Sequence, residues 1–467
     1  RLGMRVIPGM ANAPTGCPVQ FLDAMGNFAD RDPEFAANLR WGWEQGGRMI
    51  GGAYDLGVSA MARPEIPARE PRLTSRVYPG FGVVFRAHQG PDETYLALRS
   101  GYHWSHWTHD QGNLVCYSKG AALLPPQPYQ YARGDEIDPA FPDKNMVRFG
   151  DPKNDMPHAW PDSNILDAAF GERVDYAWHS TGYPDWYFTP GATPGMGVPR
   201  PRAEAAGTAD GDFTWDRQVA FLKSRDPKGA NYFVIRDGVN GPGKAASWWN
   251  LNIPGKKRHI QVAGEKLAVD TEWPTKLDLL FPGRPNPAFE MLENRLPTDY
   301  TDAHFRFSRP LAEGGVISRD YVIADEAGTP VRWEKWTGQR KQNPALWDYY
   351  ISIAHNPANP AYDMHYAFAK LLGNKQQQVT LRLAGGPGED VAWVLFPRGA
   401  GEAAPTATQL APGVVKIVTG EGTDYVFLSA TPMHYTGEGI EFAGQAGVVR
   451  VPKSGAPELV LLRGSTL

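Results

Sequence analysis

From Val77 onward the apolar residues come in short runs separated by Gly, Pro, Asp, Asn and Ser, the pattern of strands joined by tight turns. "GVVFRA" and "TYLALRS" flank "HQGPDE", "RQVAFLKS" and "YFVIRDGV" flank "RDPKGAN", and "HIQV" and "KLAVD" flank "AGE". Each pair predicts an antiparallel hairpin. From residue 379 the runs "VTLRL", "DVAWVLF", "GVVKIVT", "DYVFLS", "GVVRV" and "ELVLL" continue the pattern. They predict a smaller β-sandwich at the C-terminus. One segment is different. Asp32 to Gln45, "DPEFAANLRWGWEQ", has an Asp at the N-cap, a Pro at the first helical position, and Phe35, Leu39 and Trp43 at helical spacing before a Gly46-Gly47 stop. This predicts a helix. The following "MARPEIPAREP", Met61 to Pro71, predicts a linker, because its prolines remove backbone donors that a helix or strand needs. Pro184 to Gly211 has no period and predicts a long surface loop. The expected fold is mainly β. A helical segment occupies 1–60 and a linker 61–75, then a large antiparallel β-sandwich 76–378 and a C-terminal β domain 379–467.

Composition narrows the function classes. At 467 residues, 42% hydrophobic and 21% charged, the chain has enough apolar material for a large core. A net charge of −4 without blocks of like charge argues against a nucleic-acid-binding or membrane-surface face. No apolar run approaches the length of a membrane span, and "RLGMRVIPGM" lacks the apolar core of a signal peptide. Cys17 and Cys116 show no metal-ligand spacing. The 15 Trp residues suit stacking on the C–H faces of sugar rings, although burial in the core is the usual fate of such rings.

Candidate chemistry concentrates in "YHWSHWTHDQGNLVCYSKG", Tyr102 to Gly120, where His103, His106, His109, Trp104, Trp107 and Asp110 crowd the entrance of a predicted strand. Titratable groups gathered this way mark functional sites more often than structural ones. His106 is the leading functional candidate, and His103 reads as structural or solvent-exposed. Asp110 reads as a group that orients a neighbouring histidine or caps the turn. Trp104 and Trp107 read as core residues or sugar platforms. Arg217, at the start of an apparent strand, is suited either to a surface carboxylate or to an anionic substrate.

The order of pieces then carries a resemblance. His106 to Gln111 ahead of a short strand, Val174-Asp175-Tyr176, His179 with Gly182-Tyr183, Arg217 to Lys223 and Tyr232-Phe233-Val234 together resemble the heparinase II/III-like polysaccharide lyases. The resemblance implies an N-terminal (α/α) toroid joined to antiparallel β domains, of which this chain holds at most the toroid's last helices. It implies cleavage of a uronic-acid-containing polysaccharide by β-elimination, in a secreted or periplasmic protein. His106 stands four residues before Asp110, as the first histidine of the family's His-x-His-x-Asp signature does. The resemblance therefore assigns His106 to catalysis, Trp104, Trp107 and Arg217 to the substrate, and Asp110 and Asn113 to support. It also implies zinc, but the second histidine position falls on Thr108 and the aspartate position near Leu124-Pro125-Pro126. His109 and His179, in "WHSTGYP", are the surviving candidate ligands, and weak, absent or rearranged metal binding is expected. The family's acid–base tyrosine belongs to the toroid and corresponds to no residue here. The alternative reading is a non-catalytic carbohydrate-binding or structural β-protein of the same fold.

Overall fold

The computed structural model describes residues 6–7, 17–18, 25–26, 28–45, 65–101, 111–124, 144–149, 162–183, 213–241, 247–254, 257–271, 274–295, 322–324, 330–332, 377–385 and 388–466. The chain divides into two compact units. One comprises Arg1–Arg72, Pro126–Asp135 and Arg295–Gln376; the other comprises Leu73–Pro125, Glu136–Asn294 and Gln377–Leu467.

The first unit contains helix α1, Pro33–Gln45. Asp32 caps it: the Phe35 amide donates to Asp32 Oδ1 at 2.9 Å, and Pro33 occupies a first-turn position that needs no donor. Arg40 and Glu44, one turn apart, pair at 3.0 Å. The face that α1 buries includes Leu39 of the expected stripe but not Phe35. Ala36 and Ala37 pack with Met25 and Ile66, while Phe35 is 41% exposed and meets Phe28 edge to face. Short side chains explain the difference, since they let the segment around Ile66 approach until Arg69 N–H donates to Ala37 O at 3.0 Å. Among the described residues no helix is long and apolar enough to cross a membrane.

The second unit is antiparallel β throughout its described sheets, in agreement with the expected mainly-β fold. Strands β1 (Arg76–Tyr78), β2 (Gly82–Ala87), β3 (Thr94–Arg99), β4 (Leu114–Ser118) and β5 (Ala121–Leu124) form a five-stranded meander. Next come β6 (Val147–Phe149), β7 (Asp162–Phe170), β8 (Val174–Tyr183), β9 (Phe213–Leu222), β10 (Tyr232–Asn240) and β11 (Ser247–Pro254). They are followed by β12 (Ile260–Ala263), β13 (Lys266–Val269), β14 (Lys276–Leu280), β15 (Glu290–Arg295), β16 (Gln377–Gly385) and β17 (Asp390–Arg398). Eight of these form a sheet in the order β12-β13-β14-β17-β10-β9-β8-β7, and four form a smaller sheet, β15-β16-β11-β6. The last five strands, β18 (Thr406–Ala411), β19 (Val414–Val418), β20 (Gly422–Gly437), β21 (Ile440–Pro452) and β22 (Glu458–Thr466), form a second meander.

The eight-stranded sheet is covered on both faces. Ala177, Trp215, Val219, Phe221, Phe233 and Ile235 pack with Val83, Phe85 and Leu96 of the first meander and with Trp249, Leu251 and Val379 of the four-stranded sheet. The opposite parity, Tyr176, Ala220, Leu222, Tyr232 and Val234, packs with Val415, Ile417, Val426 and Val448 of the C-terminal meander. A sheet enclosed this way needs strands apolar on both sides, which is why "YFVIRDGV" reads as a nearly unbroken run rather than an alternation. The C-terminal meander begins at Thr406, not near 379. β16 belongs to the four-stranded sheet, and β17 lies between β14 and β10 in the middle of the large one. Local pattern fixes strand character but not strand partner, and both of β17's partners come from much earlier in the chain.

One buried pair fastens the C-terminal meander to the large sheet. Arg450 Nε donates to Asp424 Oδ1 at 2.9 Å, the Tyr232 hydroxyl donates to Asp424 Oδ2 at 2.6 Å, and Arg450 Nη1 donates to Lys223 O at 2.6 Å. Burial, with the Asp424 charge beside it, holds the Tyr232 phenol well above its ordinary pKa. Asp424→Ala strands a buried guanidinium and a buried hydroxyl, and is expected to destabilise the protein by about 3–5 kcal/mol. The test is the shift in urea midpoint at neutral pH.

Candidate functional site

Trp104, His106, Trp107, His109 and Asp110 lie outside the described residues. Asn113, His179 and Arg217 are described, and they fall within one buried cluster. The register explains how. His179 on β8 lies opposite Arg217 on β9, and Arg217 lies opposite Asp237 on β10. Residues directly opposite across antiparallel strands share a face, so these three side chains form a row on the side of the sheet toward the first meander.

Asp237 is the centre of the cluster. Its carboxylate, 1% exposed, accepts Arg217 Nε at 2.6 Å and Nη2 at 3.0 Å, a two-pronged pair. The same two oxygens accept three indole N–H groups: Trp215 at 3.0 Å, Trp249 at 3.0 Å and Trp393 at 2.9 Å. Trp215 and Trp393 come from β9 and β17 of the large sheet, and Trp249 comes from β11 in the four-stranded sheet. The remaining nitrogen of Arg217, Nη1, donates to Gly112 O at 2.6 Å and Asn145 O at 2.9 Å. Arg217 has no exposed surface, and the bonds of all three guanidinium nitrogens go to protein groups. Expected at the substrate, it is instead enclosed, because the apolar runs on either side of it are packed between sheets.

Asn113 extends the cluster toward the residues that follow the histidine-rich segment. Its side-chain oxygen accepts the Asn145 amide at 2.8 Å. Asn145 Nδ2 donates to Leu114 O at 2.7 Å, and Asn145 Oδ1 accepts the Asn252 amide at 2.6 Å. Gly112 is the closest point of approach. It has φ +78°, and a Cβ there would lie 2.4 Å from Trp215 Cη2 and 2.9 Å from His179 Cε1. Both the backbone angle and the contact require glycine.

His179 is fully buried and stands edge to face on Trp215, with centroids 5.7 Å apart. Its Nε2 lies 3.0 Å from Ser163 Oγ and 2.9 Å from Thr181 Oγ1, and Ser163 Oγ in turn lies 3.2 Å from Ser100 Oγ. Nδ1 is buried with no hydrogen-bond partner among the described residues. Burial, then the charges of Arg217 and Arg99, lowers the His179 pKa to about 3. The ring is therefore neutral at physiological pH, with an unpartnered nitrogen, and fits one position of a metal centre of the kind the family resemblance implies. Among the described residues no three His, Cys, Asp or Glu side chains gather to complete such a centre.

Sequence reading overlooked Asp237, Asn145 and the three tryptophans. The available signal was the pair of opposite charges inside otherwise apolar runs, Arg217 in "RQVAFL" and Asp237 in "VIRDGV". A neutral buried histidine also makes stability depend on pH. The unfolded chain takes up the His179 proton near pH 6.5 and the folded chain only near about 3, so acidification through that window favours unfolding. In chelator-treated protein, His179 is expected to contribute a loss of about 1.4 kcal/mol per pH unit below about pH 6. Urea midpoints measured across that range for wild type and His179→Gln check it: the variant lacks this part of the slope.

No family model matches the chain, and no curated protein does. Among solved structures, it is similar to a heparan sulfate lyase, HepC from Pedobacter heparinus, at 10% identity and a TM-score of 0.48, over 99% of this chain and 51% of that one. It is also similar to the heparinase III-BT4657 gene product (13% identity, TM-score 0.45, 89% of this chain and 48% of that one). A third similar structure is a heparinase III (12% identity, TM-score 0.46, 90% and 50%). The chain thus spans about half the length of these solved structures.

Proposed function

We propose that this chain is the β portion of a polysaccharide lyase that cleaves a uronic-acid-containing polysaccharide by β-elimination. One observation carries the reading. The pieces whose order resembles the heparinase II/III-like lyases are far apart in sequence, yet His179 and Arg217, from two of them, meet Gly112 and Asn113, which directly follow a third, in a single cluster, and β9, which carries Arg217, pairs with "YFV" of β10. Accidental pattern matches have no reason to fold together.

In this reading the substrate's carboxylate is neutralised so that the proton on the adjacent ring carbon can be removed. The electron pair left behind forms a carbon–carbon double bond as the glycosidic C–O bond breaks, and the departing oxygen takes up a proton. His106 is the proposed proton-transfer group of this chain, Trp104 and Trp107 the sugar platforms, and Asp110 and Asn113 their supports. The family's acid–base tyrosine is assigned to an N-terminal toroid that would be the chain's working partner, in a secreted or periplasmic protein. Zinc, if bound, would be held by His109 and His179 and would supply positive charge. The proton transfers do not depend on it. His179 and Arg217 act from within the protein, since neither has surface to offer a sugar.

The test is release of unsaturated uronate, followed by ultraviolet absorbance, from a panel of acidic polysaccharides. The chain joined to a toroid is expected to be active and insensitive to chelator, and the chain alone nearly inactive. His106→Ala is expected to lower activity by about 100-fold or more. Full activity of His106→Ala would overturn the assignment. Binding of the polysaccharides without release of product would favour the non-catalytic carbohydrate-binding reading.

A further inference from the structure

We infer that Arg217 and Asp237 are positioning residues, which hold the Gln111–Gly112–Asn113 turn against the Cε1 edge of His179. The inference rests on the reading of His179 as part of the functional site. Its structural half stands on geometry alone.

The turn is gripped from two sides. Gly112 N–H donates to Arg99 O at 2.7 Å and Arg99 N–H donates to Asn113 O at 2.9 Å, which fixes the turn to β3. Neither bond sets how far the turn lies from β8 and β9. That separation is set by Gly112 O, which accepts Arg217 Nη1 at 2.6 Å. The same nitrogen reaches Asn145 O at 2.9 Å, and Asn145 N–H returns to Asn113 Oδ1 at 2.8 Å. Arg217, Asn145 and the turn thus close a ring of hydrogen bonds. The guanidinium at its centre has no freedom to rotate, because its other two nitrogens are both bound to Asp237. Asp237 is itself held by indoles from three strands in two sheets.

The consequence falls on His179. Gly112 approaches so closely that a Cβ would sit 2.9 Å from His179 Cε1, the ring carbon bonded to both nitrogens. Any displacement of the turn is therefore felt at the edge of the imidazole that carries the unpartnered Nδ1. A lysine at 217 would retain the charge but has one nitrogen on a flexible stem, which cannot serve Asp237 twice and two carbonyls as well.

The test compares wild type, Arg217→Lys and Trp393→Phe in the full chain, with Asp424→Asn as the control. Trp393 donates to Asp237; Asp424 belongs to the separate buried pair under the C-terminal meander. The structural readout is the proton–proton cross-relaxation between His179 Hε1 and Gly112 Hα in an isotope-labelled sample. Both Asp237-centred variants are expected to weaken it. Asp424→Asn is expected to lower stability and leave it unchanged. If Arg217→Lys does not fold, Trp393→Phe carries the same comparison. In the active form, Arg217→Lys is expected to lower kcat by about tenfold or more with little change in KM, as misplacement rather than lost binding does. An unchanged His179–Gly112 signal in the folded variants would overturn the positioning role. If wild type releases no product while the variants lose the signal, positioning stands and the lyase reading falls.

Discussion

A single carboxylate with five N–H donors holds the architecture around the candidate site together. Burying the Asp237 charge between sheets is costly, and the cost is offset only because every donor arrives: two from Arg217 and one each from Trp215, Trp249 and Trp393. Those donors come from two strands of the large sheet, β9 and β17, and from β11 of the facing four-stranded sheet. Strand order and the packing of the two sheets are therefore conditions for satisfying one ion. The tryptophans supply bulk to the core and direct their only polar atom at its centre, so that the same rings provide apolar area and charge compensation.

The same device recurs with other partners. Lys119 pairs with Glu402 and donates to Pro397 O; Lys223 pairs with Asp175 and donates to Gly171 O; Arg450 pairs with Asp424 and donates to Lys223 O. In each case a buried cation with a carboxylate beside it reaches a main-chain carbonyl near the end of a strand or just beyond it. Carbonyls near strand ends still have to be satisfied when buried. A chain with 51 Gly and 42 Pro has many connections of this kind, and long cationic side chains reach them from neighbouring strands.

What could be read from the sequence was what local chemistry determines. The hairpins built on "GVVFRA" and "TYLALRS" and on "RQVAFLKS" and "YFVIRDGV" form as expected, because turn residues and apolar runs are neighbours. Helix α1 begins where its Asp and Pro dictate. The allegiance of β17 was not legible, since its partners are chosen by sheet packing across the chain. Asp237 was hidden by its context: in "RDGV" an Asp followed by Gly resembles a turn, and only the register against Arg217 reveals a buried pair. Arg217 looked available to a ligand because sequence gives the type of a charge and not its enclosure. His179 was found through resemblance, and its unpartnered Nδ1 emerges only in three dimensions.

The double-sided burial of β8, β9 and β10 bears on how such a protein can change over generations. Odd-numbered positions such as His179, Arg217 and Asp237 face one core, and even-numbered ones such as Trp178, Asp216 and Arg236 face the other. Inserting or deleting a single residue inside one of these strands exchanges the two sets. In β9 it would bring Asp216 or Gln218 into the place of Arg217, setting a second carboxylate, or a neutral amide, against Asp237. Point substitutions can be absorbed one at a time, but changes of length here cannot. Diversification by insertion is thereby pushed out of the strands and into the connections between them, and the lineage is free to remodel its loops only while the count of residues within three strands stays fixed.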